Sequence, residues 1–467
     1  MRAAPFPQNS GPQSSEPQNT ESQNIKHATG SEDAVSSALP TDTGQEIELR
    51  SAESAAGRRS RMTTGALVTL FGLLLTALAF TAKGSARFAL SDAFDAVKLP
   101  TITVPGMATV LVCGLLTLLA GLGYLSGRLS GKLPAVAGTI AGLAVMIGFL
   151  AWAAAGRDLP FPVSNQLNGT LAIATPLVLG ALAGVLSERA GVVNVAIEGQ
   201  FLVAAFAAAV VGSTTKSIPA ALVAAVIAGV LMAALLALFT ITYLVDQVVM
   251  GVVINLFAAG ITGYLFDQLI QPKSAELNSA PQMQPIAIPG LSDIPFLGPV
   301  LFTQTALAYL AVAAVVLVWF LLYRTRWGLH VRAVGEHPKA ADTVGINVAR
   351  TRWAAVLAGG AFAGLGGAFF TVGSTGAFAK DITVGNGFIA LAALIMGRWH
   401  PVLAALMALF FGFVKQMASQ LSTLNTPAPS QFLLMLPYIA TIIAVAGLVG
   451  RVRGPAADGV PYVKEGH

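Results

Sequence analysis

Residues 218–243 read Ile-Pro-Ala-Ala-Leu-Val-Ala-Ala-Val-Ile-Ala-Gly-Val-Leu-Met-Ala-Ala-Leu-Leu-Ala-Leu-Phe-Thr-Ile-Thr-Tyr, without one charged side chain. An α-helix needs about 20 apolar residues to cross the hydrocarbon core of a bilayer, so this run predicts a membrane span. Similar runs recur along the 467-residue chain, of which 55% is hydrophobic and only 10% charged. Soluble domains carry roughly a quarter of charged residues. The sequence therefore predicts an all-α polytopic membrane protein, surrounded by membrane lipid.

The apolar runs predict about twelve transmembrane helices, within a range of ten to twelve. The predicted spans are residues 64–82, 104–126, 134–155, 169–187, 192–212, 218–243, 247–266, 304–323, 353–373, 386–397, 401–420 and 431–450. Two of these runs, 192–212 and 386–397, are short or interrupted by polar residues, which is why the predicted range extends down to ten.

The two ends of the chain predict the orientation. Residues 1–62 begin with a segment rich in Gln, Ser, Pro, Glu and Thr, which cannot bury enough apolar surface to fold, so we expect a disordered tail. Arg58, Arg59 and Arg61 stand directly before the first span. Basic residues accumulate on the cytoplasmic side of membrane proteins, so the tail and the C-terminal segment 451–467 are both predicted to be cytoplasmic.

Composition also excludes several functions. The 27 Lys and Arg exceed the 22 Asp and Glu, but the basic residues cluster at helix ends, where they set topology and do not indicate nucleic-acid binding. A single cysteine, Cys113, permits no disulfide within the chain. The five histidines share no metal-ligand spacing, and no phosphate-binding loop or catalytic constellation occurs. We therefore expect no enzyme activity, no metal and no cofactor.

Two interrupted spans carry the candidate substrate path. The first is Gly191-Val-Val-Asn-Val-Ala-Ile-Glu-Gly-Gln-Phe-Leu, and the second is Gly385-Asn-Gly-Phe-Ile-Ala-Leu. Broken helices at corresponding places in two halves of a transporter point to its binding site. Polar groups inside a span cost several kcal/mol unless they are partnered or line a cavity. The candidate pathway residues are Asn194, Glu198, Gln200, Asn255, Asn386 and Phe388.

Each of these polar residues also has a purely structural interpretation. Glu198 could equally cap a helix beside the break. The asparagines and Gln200 are common hydrogen-bond partners between helices. Lys415, near the end of its span, could extend to the membrane surface instead of facing a pathway.

A long basic segment, residues 324–352, holds six Lys and Arg against two acids and is predicted to be cytoplasmic. Such a loop can serve topology alone. However, Pro338 suits the first turn of a short helix and Gly345 suits its end. A short cytoplasmic helix between two spans is what a soluble motor needs if it is to push on a membrane subunit.

Four segments together resemble a known family. They are Ser187–Gln200 (Ser-Glu-Arg-Ala-Gly-Val-Val-Asn-Val-Ala-Ile-Glu-Gly-Gln), Arg324–Gly328 (Arg-Thr-Arg-Trp-Gly), Gly335–Asn347 (Gly-Glu-His-Pro-Lys-Ala-Ala-Asp-Thr-Val-Gly-Ile-Asn) and the stretch from Gly385 to Pro401. These motifs are similar to those of permease subunits of bacterial ABC importers of the ribose and branched-chain amino acid type, within the nucleoside (simple sugar) branch. The resemblance covers about residues 168–450.

The resemblance implies a domain plan and a site for coupling to ATP hydrolysis. Residues 166–450 would form the permease core, with 63–165 as three additional transmembrane helices and 324–352 as the coupling loop. The implied coupling residues are Gly335, Glu336, Ala340, Ala341, Asp342 and Gly345. Lys339 stands where the commonest family pattern has glutamate.

The resemblance also implies partners and a location. These are a separate ATP-binding subunit that hydrolyses ATP, a second permease subunit, an extracytoplasmic substrate-binding lipoprotein and a small-molecule substrate, at the bacterial cell membrane. Nucleosides are the first expected substrates, before sugars and amino acids. The alternative is an ion-coupled secondary transporter of a small polar solute, which would need no motor-docking helix but more buried ionisable groups than this chain has.

Overall fold

The computed structural model describes residues 55–91, 97–423, Met435 and 454–464, and these are mostly helical. In chain order the helices are α1 (Ala55–Ala79), α2 (Gly106–Ser126), α3 (Leu133–Ala154), α4 (Val163–Arg189), α5 (Ile197–Thr215), α6 (Ile218–Ala237), α7 (Gln247–Leu265), α8 (Ser274–Leu277), α9 (Leu297–Leu301), α10 (Ala306–Arg324), α11 (Arg326–Glu336), α12 (Pro338–Thr343), α13 (Val348–Phe369), α14 (Asn386–Met396) and α15 (Pro401–Thr423). The strands are β1 (Ser85–Ala89), β2 (Ile102–Pro105), β3 (Phe161–Pro162), β4 (Ile286–Ala287) and β5 (Thr303–Gln304).

Ten helices in the described part of the chain are long and apolar enough to cross a membrane, namely α1 to α7, α10, α13 and α15. The predicted count of twelve is therefore not confirmed. The predicted span 386–397 is α14, which has 11 residues and is about 16 Å long, only half of a bilayer's hydrocarbon core. Its apolar composition suggested a span, although its length does not allow one. The predicted span 431–450 lies outside the described residues apart from Met435.

The first three spans pack mainly against one another and also contact α15. Strand β1 pairs antiparallel with β2 and parallel with β3. This small sheet links the end of α1, the start of α2 and the end of α3. Helix α1 begins at Ala55, so residues 55–62, which were predicted to belong to the disordered tail, are helical, whereas the rest of that predicted tail lies outside the described residues. Arg61 explains part of this extension, since its Nη1 donates to the Tyr124 carbonyl oxygen at the end of α2.

The helices that follow β3 are arranged around α4. In its most apolar stretch 78% of the residues are buried, against 22% in α1 and in α7, so α4 is enclosed by other helices and has little surface left for lipid. Helices α6 and α13 approach so closely that a Cβ on Gly229 would lie 2.7 Å from Gly364 Cα. Small residues allow such contacts between helix backbones in membranes.

Several contacts show which helix ends lie together. Arg189 at the end of α4 donates to the Trp399 carbonyl oxygen just before α15, and the described C-terminal residues contact α11. Met417 and Leu421, near the other end of α15, share a buried cluster with Ala79 at the end of α1. The start of α1, the end of α4, the loop of α11 and α12, and residues 454–464 therefore lie at the same end of the bundle.

Candidate functional site

Glu198 joins the starts of two helices. It is the second residue of α5, and its carboxylate faces the first turn of α14. Oε1 accepts hydrogen bonds from Thr383 Oγ1 at 2.5 Å and from the Gly385 amide at 2.8 Å, while Oε2 accepts from the Gly387 amide at 2.6 Å. The first amides of a helix lack partners within the helix, and the helix start favours a negative charge. Glu198 therefore supplies the cap that α14 does not carry in its own sequence.

Asn255 of α7 has the corresponding role at the start of α5. Its Oδ1 accepts from the Gly199 amide at 2.8 Å, and its Nδ2 donates to the Val195 carbonyl oxygen at 2.9 Å. The two interrupted segments of the sequence are thus both helix starts held by a side chain from another helix. The phenylalanines of these two segments differ, because Phe201 is fully buried whereas Phe388 is 48% exposed.

Lys415 and Asn386 extend this polar cluster. Lys415 Nζ donates to Asn386 Oδ1 at 2.5 Å, and Asn386 Nδ2 donates to the Thr383 carbonyl oxygen at 2.6 Å. The lysine is therefore tied to the start of α14. We call this hydrogen-bonded group the α14 cluster. It brings together an acid, a hydroxyl, an amide and an amine, from Glu198, Thr383, Asn386 and Lys415.

Asn194 and Gln200 lie apart from the α14 cluster and bind each other. Both are fully buried, and their side-chain amides exchange two hydrogen bonds of 3.4 Å. The backbone amide of Asn194 also donates to Glu188 Oε1, and the Trp399 indole Nε1 donates to Glu188 Oε2 at 2.5 Å. Four of the six predicted pathway residues thus fall into two groups, while Asn255 caps α5 and Phe388 is half exposed. The role of all six in transport stays a prediction.

Replacing Trp399 with phenylalanine is expected to destabilise the end of α4. Glu188 is 3% exposed, and the change removes its indole donor, leaving a buried carboxyl oxygen unpaired at a cost of about 1–3 kcal/mol. The matched control is Trp152→Phe, which removes an exposed indole bond to Thr81. We expect a lower melting temperature in detergent for Trp399→Phe than for Trp152→Phe. Equal melting temperatures would contradict the importance of the Glu188 bond.

The segment 324–352 folds as two short helices. Pro338 occupies the first turn of α12, and Gly345 follows its end with a φ of +87°, as its sequence position suggested. Gly335 packs directly on the end of α4, where a Cβ would overlap the Arg189 carbonyl oxygen. Ala341 is buried with Val334 and Val348. Gly335 and Ala341 therefore fix the loop to the core.

The other face of this loop is open. Glu336, Ala340 and Gly345 are exposed, Asp342 is half-buried, and Val344 is 76% exposed. Residues of α11, α12 and the turn after it line an apolar groove of about 260 Å³. The loop thus presents an apolar surface outward while its inner face contacts the end of α4.

Two ionisable groups near the end of α4, His400 and Asp458, have shifted pKa values. Burial and then the charge of Arg189 lower the pKa of His400, so its imidazole is uncharged near pH 7. Burial raises the pKa of Asp458 to about 7, and the charge of Arg352 opposes that shift. Among the described residues, no group of three or more His, Cys, Asp or Glu side chains could hold a metal ion.

Comparison with known proteins assigns the family. The sequence model described as the permease component of branched-chain amino acid transport systems matches residues 166–446, more than half of the chain. The chain belongs to this permease family. The matched range begins with α4 and includes the α14 cluster and the loop of α11 and α12, so the three N-terminal spans lie outside it.

Three relatives narrow the comparison within this permease family. A guanosine ABC transporter permease protein of Bacillus subtilis is 42% identical over 319 residues, which are 66% of this chain and 99% of the relative. A nucleoside ABC transporter permease protein of Lactococcus lactis is 39% identical over 304 residues, 63% and 95% of the two chains. A putative glucose ABC transporter permease protein of Haloferax volcanii is 34% identical over 309 residues, 62% and 93% of the two chains. No solved structure matches this chain significantly.

These relationships make the protein a multi-pass permease subunit of an ABC importer. The alternative of an ion-coupled secondary transporter is not favoured. Sequence reasoning missed Thr383, Glu188, Trp399 and Arg352 as members of the polar clusters. Glu188 and Trp399 stand at the ends of apolar runs, where the sequence gives no sign that they meet.

Proposed function

We propose that this permease imports nucleosides. The observation that carries the proposal is the 42% identity to a guanosine permease over nearly the whole length of that relative. The nucleoside permease of Lactococcus lactis follows at 39% identity, whereas the putative glucose permease is less similar, at 34%. Nucleosides, which offer ribose hydroxyls and base edges to polar side chains, are the preferred substrate class, and related sugars are the second.

The α14 cluster is proposed to line the substrate path. It places Glu198, Thr383, Asn386 and Lys415 at a helix start within the permease core. Irregular backbone at membrane depth is tolerated where it is enclosed by protein or lines a cavity. Phe388, half exposed beside this cluster, offers an aromatic face against which a base could pack.

The loop of α11 and α12 is proposed to dock on a separate ATP-binding subunit that hydrolyses ATP. The open face with Glu336, Ala340 and Val344 supplies the contact, and the apolar groove beside it gives a surface for side chains of the partner. The inner face meets Arg189 at the end of α4 through Gly335. A push on α12 would therefore reach the interrupted segment between α4 and α5.

The complete importer would also contain a second permease and an extracytoplasmic substrate-binding lipoprotein. We infer that the end carrying α11 and α12 is cytoplasmic, since residues 324–352 hold six basic residues against two acids. The start of α1 and residues 454–464 lie at that same end. Both termini of the permease are accordingly assigned to the cytoplasm.

Substrate competition tests this proposal. Uptake of labelled guanosine is measured in cells that express the permease with its partner subunits, in the presence of excess unlabelled adenosine, ribose, glucose or leucine. We expect strong inhibition by adenosine, weaker inhibition by the sugars and none by leucine. Inhibition by leucine alone, or by glucose more than by adenosine, would contradict the nucleoside assignment.

A further inference from the structure

Residues 454–464, here called the C-terminal strap, pack beneath the loop of α11 and α12. They begin after residue 446, where the match to the permease family ends. The Ala457 amide donates to the Gly335 carbonyl oxygen at 2.9 Å, and the Ala456 amide donates to Glu336 Oε2 at 3.3 Å. The last carbonyls of a helix lack partners within the helix, so Ala457 caps the end of α11.

Arg352 attaches the strap to the permease core. This side chain, near the start of α13, is only 1% exposed. Its Nε donates to the Ala190 carbonyl oxygen at the end of α4, at 3.2 Å, and its Nη1 donates to the Val460 carbonyl oxygen at 3.0 Å. One guanidinium thus joins α13, the end of α4 and the strap. Its charge acts on Asp458, the half-buried acid of the strap.

The far end of the strap reaches α12. Tyr462 packs against the buried cluster formed by Val334, Ala341 and Val348. Lys464 Nζ lies 3.8 Å from Asp342 Oδ1, an exposed ion pair that contributes little alone. Together these contacts place the strap against α11, α12 and α13, and Gly191 also lies against Ala457. The strap therefore contacts α11, α12, α13 and the segment that follows α4.

We propose that the C-terminal strap is a positioning element of the coupling loop. It holds α11 and α12 against the end of α4, so that a displacement of α12 moves the interrupted segment 189–196 with it. Arg352 and the Ala457 amide are the positioning groups. This inference rests on the proposed coupling role of residues 324–352, and the tests below separate the two.

The first test measures the loop without any partner subunit. Amide hydrogen exchange in residues 326–343 is compared between the purified permease, a truncation that ends at residue 453 and the full-length variant Ala457→Pro, which removes the amide donor to Gly335. The matched control is Val463→Ala, a strap residue that is 64% exposed. We expect exchange about two- to tenfold faster in both strap variants and unchanged in the control. Wild-type exchange in Ala457→Pro would overturn the proposal, even if the truncation fails to fold.

The second test uses the complete importer. A merely structural strap would change the yield of complex, whereas a positioning strap changes the ratio of substrate-stimulated to basal ATP hydrolysis per complex. We expect Ala457→Pro to lower this ratio by about the same factor by which it speeds amide exchange in residues 326–343. Val463→Ala should keep the wild-type ratio. A loop that exchanges faster with an unchanged ratio would contradict the positioning role. If substrate does not stimulate ATP hydrolysis by the wild-type complex, the proposed function is contradicted. The hydrogen-exchange result would still show whether the strap holds the loop.

Discussion

Glu198→Leu is expected to abolish transport and most of the correctly assembled permease. Leucine removes the acceptor for Thr383 Oγ1 and for the Gly385 and Gly387 amides. A buried donor without a partner costs about 1–3 kcal/mol, so even a part-buried set of three is expected to cost about 3 kcal/mol in total. That is a large share of the roughly 5–15 kcal/mol by which proteins are stable. The yield of monodisperse permease and its melting temperature in detergent measure the effect.

Two further variants separate the helix cap from the substrate path. Glu276→Leu is the matched control, because this acid is exposed on the short helix α8 and its loss should be tolerated. In Glu198→Gln, the amide oxygen can still accept from Thr383 and Gly385, but the amino group meets the Gly387 donor. We expect assembly with reduced stability and reduced uptake, since hydrogen bonds to a charged acceptor are roughly twice as strong. Wild-type uptake by Glu198→Gln across the substrate range would contradict a role of Glu198 in the substrate path. Wild-type stability of Glu198→Leu would contradict its role as the cap of α14.

The second large effect is expected from Gly335→Val. A Cβ at this position would overlap the Arg189 carbonyl oxygen and lie 2.9 Å from its carbonyl carbon, and backbone cannot yield as a side chain can. Overpacking of this kind costs about 1–3 kcal/mol, and the end of α11 must move away from α4. The permease should insert and purify normally, while substrate-stimulated ATP hydrolysis falls roughly tenfold, the factor that 1.4 kcal/mol represents.

Gly345→Ala is the control within the same loop. No atom lies within 4 Å of the position its Cβ would take, so the variant meets only the cost of its φ of +87°, about 1–2 kcal/mol at the exposed end of α12. Although the family resemblance implies a coupling role for Gly345 as well, we expect Gly345→Ala to keep more of the stimulation than Gly335→Val, because alanine there does not displace the loop from α4. Full stimulation in Gly335→Val, at wild-type levels of complex, would mean that the contact with α4 does not transmit motion.

Apolar composition and basic loops predict much of this fold, because a bilayer imposes span length and charge placement directly on the sequence. That is why ten of the apolar runs correspond to observed spans, the nine from 64–82 to 353–373 and then 401–420, and why Pro338 and Gly345 mark the ends of α12. Run length is a weaker guide where helices are interrupted. Residues 386–397 are as apolar as a span, yet α14 begins inside the bundle after Gly385, a residue with a φ of +73°.

The candidate site was harder to predict because its contacts join distant parts of the chain. Glu198 and Gly387 are 189 residues apart, and the Glu188 bond to Trp399 spans 211 residues. Polar residues within spans identified Glu198, Asn255 and Asn386, because each needs a partner in an apolar environment. The partners themselves, such as Thr383, depend on packing that no periodic pattern records. Sequence reasoning also gave the strap no role, since a short terminal segment without apolar periodicity shows no sign that Arg352 will bind it.

The most direct test of the importer assignment is ATP-dependent nucleoside uptake into liposomes that contain the complete complex. Labelled guanosine is supplied outside with the substrate-binding protein, and ATP is either enclosed or omitted, with and without an imposed proton or sodium gradient. We predict uptake only with enclosed ATP, little effect of either gradient, and loss of uptake in Gly335→Val. Uptake driven by an ion gradient without ATP, in liposomes that contain this chain alone, would contradict the assignment.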